Sequence, residues 1–352
     1  MDRASPRKSF QIGGETIAPG ERRMVNLPVA NLYTNAPVNL PVIVLHGRRP
    51  GPTLFVSAAL HGDEIIGVEI IRRLLKLPRL SEISGTLLAV PIVNVPAFLI
   101  QSRYLPDRRD LNRSFPGSET GSLAARLARL FLDAIVGRCD YGIDLHTGAI
   151  HRPNLPQIRA DFTNPENLRL AKAFGAPLLL NSTPTEGTLR EYTTRKGIPV
   201  LLYESSEALR FDETCIRIGV IGVQNVMHAV DMLPPPDELL VRAAEPLIAK
   251  SATWCRAPAS GIFRAQAKLG QQVHKEQVLG VVGDPWGETE NIVVSPCDGL
   301  VIGRLSLPLV YEGDGLFHLA RFPSADGLSE AIHGVEAQSS TEYDPAGEPP
   351  IV

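Results

Sequence analysis

Apolar runs alternate with amphipathic segments along the middle of the chain, between about residues 53 and 235. The run 87–93 is apolar at nearly every position, which is typical of a strand buried on both faces. In the segment 63–77, apolar residues recur every three to four positions and predict one buried helix face. Alternation of this kind indicates an α/β fold with a mixed, mostly parallel sheet flanked by helices. Further strands are expected at 54–60, 141–145, 177–180 and 199–203, and further helices at 121–136 and 211–232.

The flanking segments have a different pattern. Residues 1–50 contain short β-like runs broken by Pro and Gly, which predict a β lead-in to the α/β domain. Consecutive prolines at 234–236 stop the last predicted helix, so the α/β domain is expected to span 51–236. From 245 to 325, short Val-, Ile- and Leu-rich runs between glycines predict a smaller all-β barrel or sandwich domain. The polar tail, 335–352, lacks an apolar period and is expected to be mobile.

Composition narrows the class of protein. The chain has 352 residues, of which 44% are hydrophobic and 21% charged, and this is typical of a globular protein. A net charge of −3 gives no electrostatic case for binding nucleic acid or an anionic membrane. No apolar run approaches the roughly 20 residues of a membrane span, and the N-terminus lacks the apolar stretch of a secretory signal. The cysteines at 139, 215, 255 and 297 have no metal-binding spacing and predict reduced thiols in the cytoplasm.

A candidate metal site stands where a predicted strand gives way to a helix. His61 and Glu64 are three residues apart, so at such a turn both side chains can face one point. Two histidines and one glutamate form a known type of zinc site, and His146, which follows another predicted strand, is the expected third ligand. Glu204 also follows an apolar strand, and sites in parallel sheets gather at the carboxyl ends of strands. The alternative is an ordinary helix start in which Asp63 caps the helix and Glu64 faces its dipole.

One polar loop after the run 87–93 is rich in arginine. Arg103, Arg108, Arg109 and Arg113 stand there beside Asn112. Guanidinium groups bind carboxylates through paired hydrogen bonds, so this loop is a candidate for recognising a substrate carboxylate. The alternative is a solvated surface loop.

Four short motifs follow one another along the chain: His61-x-x-Glu64, Asp110-Leu111-Asn112-Arg113, Asp144-Leu145-His146 and Glu204. In this order they resemble the succinylglutamate desuccinylase/aspartoacylase family, whose catalytic domain is similar to the zinc carboxypeptidases. The resemblance extends from about residue 50 to 320 and includes the β-rich C-terminal part. It implies a zinc-carboxypeptidase-like α/β domain followed by the smaller all-β domain.

The resemblance implies a metal centre with one Zn²⁺ per chain. His61, Glu64 and His146 would be the ligands. Asp110 would be a carboxylate outside the ligand set that orients a ligand histidine, as is usual around zinc-bound imidazoles. Asp144 is a second candidate for this role because it lies on the same strand face as His146.

The resemblance also implies how substrate is bound and cleaved. Asn112 and Arg113 would bind the substrate carboxylate, and we include Arg109 in this set. Arg103 would polarise the scissile carbonyl and stabilise the oxyanion. Glu204 would be the general base that activates water and would then protonate the leaving amine.

Some positions depart from the family pattern or compete with these assignments. Arg108 stands where family members often have a glycine, which adds positive charge near the site. Glu207 lies close enough to Glu204 to compete as the base. Arg190 is a weaker substrate-binding candidate. Tyr311, in the predicted all-β domain, is expected to be packed or exposed, although it could lean into the site.

The implied activity is hydrolysis of the amide bond of an N-acyl amino acid, or of a related small amide with a free carboxylate. The alternatives are a zinc carboxypeptidase that acts on short peptides and a non-catalytic binding protein on the same fold. The segments 259–273 and 295–301 resemble the half-repeats of biotinyl or lipoyl barrels, but no lysine stands between them at 283–291. We therefore expect a structural barrel that shapes substrate access, not a carrier of a swinging cofactor. The expected partner is a small-molecule substrate, with no nucleic acid and no membrane. The sequence leaves open the acyl group, the amino acid and whether the chain forms a homo-oligomer.

Overall fold

The computed structural model describes residues 7–234 and 245–322. The predicted linker after Pro234 and the predicted mobile tail at 335–352 lie outside these residues. The helices are α1 (Ile66–Leu74), α2 (Val95–Leu99), α3 (Leu123–Ala134), α4 (Pro165–Phe174), α5 (Leu189–Lys196) and α6 (Glu213–Ala229), with short 3₁₀ turns at Pro78–Glu82, Leu111–Arg113 and Val136–Arg138. The strands are β1 (Phe10–Ile12), β2 (Glu15–Ile17), β3 (Glu21–Asn31), β4 (Pro37–His46), β5 (Arg49–Ala58), β6 (Ser84–Val90), β7 (Tyr141–Gly148), β8 (Asn154–Ala160), β9 (Leu178–Asn181), β10 (Val200–Glu207), β11 (Leu247–Ala249), β12 (Ser251–Arg256), β13 (Gly261–Ala265), β14 (Gln272–Val273), β15 (Val278–Gly283), β16 (Glu290–Val294), β17 (Gly299–Arg304), β18 (Leu309–Val310) and β19 (Gly315–Arg321).

One large mixed sheet organises the described residues. Its main path runs β12-β19-β17-β8-β10-β7-β5-β6-β4-β3, and β9, β11 and β14 pair beside this path. The central strands β10, β7, β5 and β6 are parallel to one another. β8 pairs antiparallel with β10 on one side of this centre, and β4 and β3 extend the other side in antiparallel fashion. The mixed, mostly parallel centre confirms the predicted fold class.

Strand β5 shows why the sequences of the central strands are apolar at nearly every position. Val56 faces a core formed with α1, α4 and α6. Its neighbour Phe55 faces the opposite core, where its ring meets Phe131 of α3 edge-on at 6.0 Å. Successive side chains of a strand point to opposite faces, so a strand covered on both faces needs apolar residues throughout. The amphipathic helices predicted around 63–77 and 121–136 are the ones that supply this cover.

The C-terminal β region, residues 245–322, is all-β as expected and mostly antiparallel, but its strands belong to two sheets. β13, β15, β16 and β18 form their own four-stranded sheet. β12, β19 and β17 instead continue the large sheet, joined to β8 by one backbone pairing between Gly303 and Asn154. β11 also pairs with β9. The region therefore extends the main sheet towards the ends of β7 and β10.

Candidate active site

A sharp turn between β5 and α1 carries His61 and Glu64. Gly62 lies so close to α2 that an added Cβ would be 2.1 Å from the carbonyl carbon of Ala97, so a residue with a side chain would push α2 away. α1 begins at Ile66 without a side-chain cap, so Asp63 is not the helix cap of the alternative interpretation. The turn holds two polar side chains at the end of a buried strand.

The donor atoms of His61, Glu64 and His146 converge at this strand end. The Nδ1 atoms of His61 and His146 lie 2.7 Å from Oε1 and Oε2 of Glu64, respectively. One ligand atom from each residue falls within 4.8 Å of the others, and all three side chains are buried. Two imidazoles and one carboxylate are a donor set that zinc accepts, and three protein ligands leave a coordination position open. The three residues therefore fit the implied metal.

Each histidine is oriented from behind by a carboxylate. Nε2 of His61 lies 3.0 Å from Oδ1 of Asp110, and Nε2 of His146 lies 2.7 Å from Oδ2 of Asp144. Asp144 is itself fixed, because Ser57 Oγ donates to its other oxygen at 2.7 Å. Because Nε2 of each ring faces a carboxylate, Nδ1 is the atom that faces Glu64. Carboxylates outside the ligand set orient the rings of metal-bound histidines in this way.

Mutual attraction dominates the electrostatics of this cluster. Burial raises the pKa of Glu64, but the His61 and His146 imidazoles outweigh it and hold the pKa well below its usual value. Burial likewise acts to lower the pKa of His146, but Asp144 and Glu64 raise it well above 6.5. The pKa of Asp110 is low because His61 and Arg103 offset its burial. The carboxylates thus favour positive charge at the point between the rings.

Arg103 borders the His61, Glu64 and His146 side chains on the side of the arginine-rich loop. Its Nη1 donates to Glu64 Oε1 at 3.2 Å, and its Nη2 donates to Asp110 Oδ2 at 3.0 Å. Asp110 also accepts a hydrogen bond from the backbone N–H of Asn112 at 2.8 Å. The guanidinium is thereby held next to the metal donors while lining the adjacent cavity.

A cavity of about 530 Å³ opens beside the three metal donors. It is polar, with arginines on several sides. The arginines that line it are Arg103, Arg113, Arg152, Arg159 and Arg190, and the acidic residues that line it are Glu64 and Glu204.

Glu204 lies on β10, the strand next to the one that carries His146. β10 pairs with β7 so that Glu204 is the register partner of His146, which places both side chains on one face of the sheet. Both carboxylate oxygens are held at 2.6 Å, one by Nδ2 of Asn154 and the other by Nη1 of Arg159. Glu207, the competing candidate, pairs with Arg210 and does not line the cavity. The geometry therefore favours Glu204 over Glu207.

Asn112 and Arg113 both line the cavity, as a substrate-binding pair would. The amide oxygen of Asn112 accepts the backbone N–H of Leu189 at 3.0 Å. Nη1 of Arg113 donates to the carbonyl of Asn112 at 2.6 Å. The hydrogen bond to Leu189 ties the loop to the start of α5 and leaves the Asn112 NH₂ group as its donor towards a ligand.

Three other residues considered from the sequence lie away from this cavity. The Arg109 side chain is 63% exposed and lies 4.0 Å from Asp107, so its position does not support the predicted contact with substrate. Arg108 is exposed, and its φ of 62° lies in the left-handed region where glycine is favoured. Tyr311 is 80% exposed, which agrees with the structural alternative considered for it. Arg190, the weaker candidate, does line the cavity.

Sequence reasoning missed a group of residues that line the cavity and come partly from the C-terminal β region. Trp254 of β12 and His318 of β19 stack with ring centroids 4.6 Å apart and planes at 8°. The guanidinium carbon of Arg152 lies 5.6 Å from the centre of the Trp254 ring. Arg159 of β8 also belongs to this group. These residues belong to no short motif, and they meet because β12, β19 and β8 share the large sheet.

The fold and the buried donor group together define an α/β protein with a candidate metal centre at its strand ends. The chain belongs to the succinylglutamate desuccinylase/aspartoacylase family, because the family model for the succinylglutamate desuccinylase/aspartoacylase catalytic domain matches residues 50–230, more than half of the chain. The predicted resemblance is thereby confirmed. The names of this family describe enzymes that remove acyl groups.

Individual relatives agree with the family. An N-alpha-acetyl-L-2,4-diaminobutyric acid deacetylase of Halomonas elongata is 26% identical over 323 residues, which cover 88% of this chain and 89% of that protein. A succinylglutamate desuccinylase/aspartoacylase structure from Rhodobacter sphaeroides is 25% identical, with a TM-score of 0.78 over 90% of this chain and 97% of that one. The product-bound ectoine utilization protein EutE (DoeB) of Ruegeria pomeroyi shares the fold at 24% identity, with a TM-score of 0.78 and coverage of 90% and 98%.

Proposed function

We propose that the chain is a zinc-dependent hydrolase that cleaves the amide bond of an N-acyl amino acid. The observation that carries this proposal is the convergence of His61, Glu64 and His146 within 4.8 Å, beside a cavity that Glu204 and several arginines line. Family membership supports the reaction, since the named relatives include a deacetylase and desuccinylases. The substrate would be a small molecule.

The metal would be held by the Nδ1 atoms of His61 and His146 and by the carboxylate of Glu64. When bound, zinc supplies Lewis acidity and lowers the pKa of water towards 7. Asp110 and Asp144 keep the two imidazoles aimed at it through hydrogen bonds of 3.0 and 2.7 Å. The proposed stoichiometry is one zinc ion per chain.

The remaining chemistry falls to side chains that line the cavity. Glu204 would accept a proton from the attacking water and pass it to the amine nitrogen as the C–N bond breaks, so the carboxylate ends unchanged. Arg103 would face the carbonyl oxygen as negative charge develops on it. Arg113 and the free NH₂ group of Asn112 would bind the substrate carboxylate and place the amide against Glu204. Asn154 and Arg159 hold Glu204 in position through the two 2.6 Å contacts.

The first experiment combines a metal analysis with a substrate screen. Purified protein is analysed for bound metal and then tested, loaded with zinc, on N-acetyl, N-succinyl and N-formyl amino acids with mass spectrometry as the readout. The proposal expects one zinc per chain and release of the free amino acid, with loss of activity on chelation. Faster cleavage of short peptides than of N-acyl amino acids would favour the carboxypeptidase alternative. Metal-free protein that cleaves amides equally well after His61→Ala would rule the proposal out.

We also propose that the enzyme works in the cytoplasm. All four cysteines are free thiols, and Cys139, Cys215 and Cys255 are buried. Burial raises the pKa of the Cys139 and Cys215 thiols far above the usual value, so neither forms the reactive thiolate at neutral pH. Among the helices that the structure describes, none is long and apolar enough to cross a membrane. Fractionation of cells that express the tagged chain tests the assignment.

A further inference from the structure

The strand that carries Glu204 becomes irregular immediately after this residue. Up to Glu204, β10 stays in regular register with β7 on one side and β8 on the other. Towards β7, Glu204 pairs with His146. The next pair is Glu207 with Gly148, so β10 advances three residues where β7 advances two. β10 therefore contains a β-bulge at 205–206, and bulges next to active sites can redirect a neighbouring side chain.

Ser206 lies in this bulge with a left-handed backbone. Its φ is 57°, a value that glycine adopts freely and that residues branched at Cβ avoid. The residue is only 9% exposed, so it is enclosed by the surrounding structure. Residues in such conformations persist when their surroundings hold them there, and they cluster at active sites. The bulge is therefore kept in a conformation that a serine does not favour by itself.

The chain beyond the bulge is fixed to both segments that carry the candidate metal donors. The N–H of Ala208 donates to the carbonyl of Gly148, the last residue of β7, at 2.9 Å. The N–H of Leu209 donates at 2.9 Å to the carbonyl of Asp63, in the turn that carries Glu64. Leu209 also has a left-handed φ, of 57°. The backbone after the proposed base is thereby tied to the end of β7 and to the turn before α1.

The bulge also sets the residue that holds the proposed base. On β8, the register partner of Ser206 is Asn154. Nδ2 of Asn154 donates to Glu204 at 2.6 Å, and Arg159 holds the other carboxylate oxygen at 2.6 Å. A different φ at Ser206 would therefore change both the course of the strand next to Glu204 and the pairing that places the Asn154 amide.

We propose that Ser206 is a positioning residue, whose left-handed conformation sets the bulge and thereby places the Glu204 carboxylate relative to the candidate metal donors. The inference rests on the proposed function, in which Glu204 is the base. Ser206 acts through the backbone, and its side chain is not among those that line the cavity. The requirement at this position is a residue that adopts a φ near 57°, and the hydroxyl group is dispensable.

Three substitutions separate a role of the backbone from a role of the hydroxyl. Ser206→Thr keeps the hydroxyl but adds a branch at Cβ that disfavours the left-handed region. We expect kcat to fall by about 10-fold or more with little change in KM or zinc content, because a displacement of about 1 Å can cost about 100-fold. Ser206→Gly and Ser206→Asn remove the hydroxyl but adopt this conformation readily, so kcat should stay within about threefold of the wild type. The opposite order, with Thr active and both Gly and Asn impaired, would overturn the inference.

A second left-handed residue provides the matched control. Glu276 has a φ of 66°, is exposed, and lies in a turn of the C-terminal β region, where its N–H donates to the carbonyl of Ser295 at 2.9 Å. Glu276→Thr imposes the same kind of backbone penalty away from the cavity. It should lower the midpoint of thermal unfolding, as Ser206→Thr does, and leave kcat within about threefold of the wild type. An equal loss of kcat in both Thr variants would overturn the inference.

A milder change covers the case in which Ser206→Thr does not fold. Alanine lacks the branch at Cβ but still disfavours the left-handed region more than glycine does. Ser206→Ala should then have a lower kcat than Ser206→Gly, at equal zinc content. Equal kcat values in these two variants would count against the positioning role.

Crystal structures of the wild type and of Ser206→Thr separate failure of this inference from failure of the proposed function. The readout is the position of the Glu204 carboxylate and its contacts with Asn154 and Arg159. If the wild type cleaves no N-acyl amino acid but the carboxylate moves in Ser206→Thr, the proposed function fails and the positioning role stands. If the wild type cleaves these substrates and Ser206→Thr changes neither kcat nor the carboxylate, the positioning role alone fails.

Discussion

The two ends of the cavity differ in how their charges are satisfied. At the metal end, both nitrogens of His61 and His146 have carboxylate partners within 3.0 Å, and Arg103 closes the cluster. The second part of the cavity, here called the arginine end, contains Arg152, which lies over the Trp254 ring, and Arg190, which donates to Ser182. Neither forms an ion pair within the described residues, although Glu204, Asp161 and Asp144 partly offset the lowering of the pKa of Arg190 by burial. The side chains of the metal end are therefore held in place by one another. The guanidinium groups of the arginine end are held by aromatic and neutral groups instead.

The two ends also differ in how the chain builds them. The metal end uses two adjacent parallel strands, β5 and β7, whose register sets Ser57 against Asp144. The arginine end draws on β8, β12, β19 and the first turn of α5, which are distant in sequence. Under the proposed function we expect the metal end to control the rate of the reaction, and substitutions at the two ends test this expectation.

The largest effect is expected from loss of a metal ligand. His146→Ala removes one of the three donors, so zinc content should fall and activity should drop by more than the roughly 10²- to 10⁴-fold expected for a lost general base. Metal analysis and kcat/KM on the best N-acyl substrate provide the measurement. His274→Ala is the control, because this histidine is 74% exposed and lies near Asp298 in the C-terminal β region. Full zinc occupancy and activity in His146→Ala would show that the metal end does not hold the zinc.

Loss of the proposed base should leave the metal in place. Glu204→Gln keeps the shape and the contact to Asn154 but cannot accept the proton, so kcat should fall by about 10²- to 10⁴-fold with unchanged zinc content. Glu207→Gln, three positions along β10 and outside the cavity, should retain activity within about threefold of the wild type. If Glu207→Gln had the larger effect, the base would have been assigned to the wrong residue.

Neutralising a carboxylate that orients a candidate ligand histidine should reduce zinc affinity without abolishing it. In Asp144→Asn, the contact to Nε2 of His146 loses its charge, and zinc affinity should fall by about 10- to 100-fold, as is usual for such outer partners. Competition with a chelator of known affinity measures the change. Asp133→Asn, an exposed change on α3 that disrupts only an ion pair with Arg129, should leave zinc affinity unaltered. An equal zinc affinity in Asp144→Asn and the wild type would contradict the orienting role.

The smallest effect concerns the pH dependence of stability at the arginine end. Because burial and Arg159 depress the pKa of His318 from 6.5 to about 4, with Glu204 acting in the opposite direction, the unfolded state binds a proton more readily than the folded state between these values. The stabilisation is complete above about pH 6.5 and is lost as pH falls towards 4. Urea unfolding at pH 7 and pH 5 should show the wild type losing about 2 kcal/mol more than His318→Gln. Equal losses in both proteins would show that burial and Arg159 do not depress the pKa of His318.

The two ends were not equally predictable from the sequence. His61, His146 and Glu204 follow apolar runs that become parallel strands, and strand ends of one sheet meet at one edge. Asp144 was predictable because a strand places residues two apart on one face. Trp254 and His318 left no such signal, since their position depends on β12 and β19 joining the large sheet. That pairing is a long-range event with no local pattern.

Proximity in sequence was misleading within the arginine-rich loop. Arg109 lies next to Asp110, which contacts His61, yet its own side chain is 63% exposed. The backbone turns tightly here, with Arg108 in the left-handed region and its N–H donating to the carbonyl of Leu105 at 2.8 Å. A tight turn directs neighbouring side chains apart, and a residue list alone cannot show which of them faces inward.

The backbone pairing between Gly303 and Asn154 connects the C-terminal β region with Glu204, the proposed base. Asn154 holds Glu204 with its amide nitrogen, while its amide oxygen occupies the space that a side chain on Gly303 would need, 2.4 Å from an added Cβ. A methyl group on residue 303 would therefore displace the Asn154 amide. The Glu204 carboxylate, which this amide holds, would move with it. A shift of the C-terminal strands relative to β8 would therefore displace Asn154 and, through it, the proposed base Glu204.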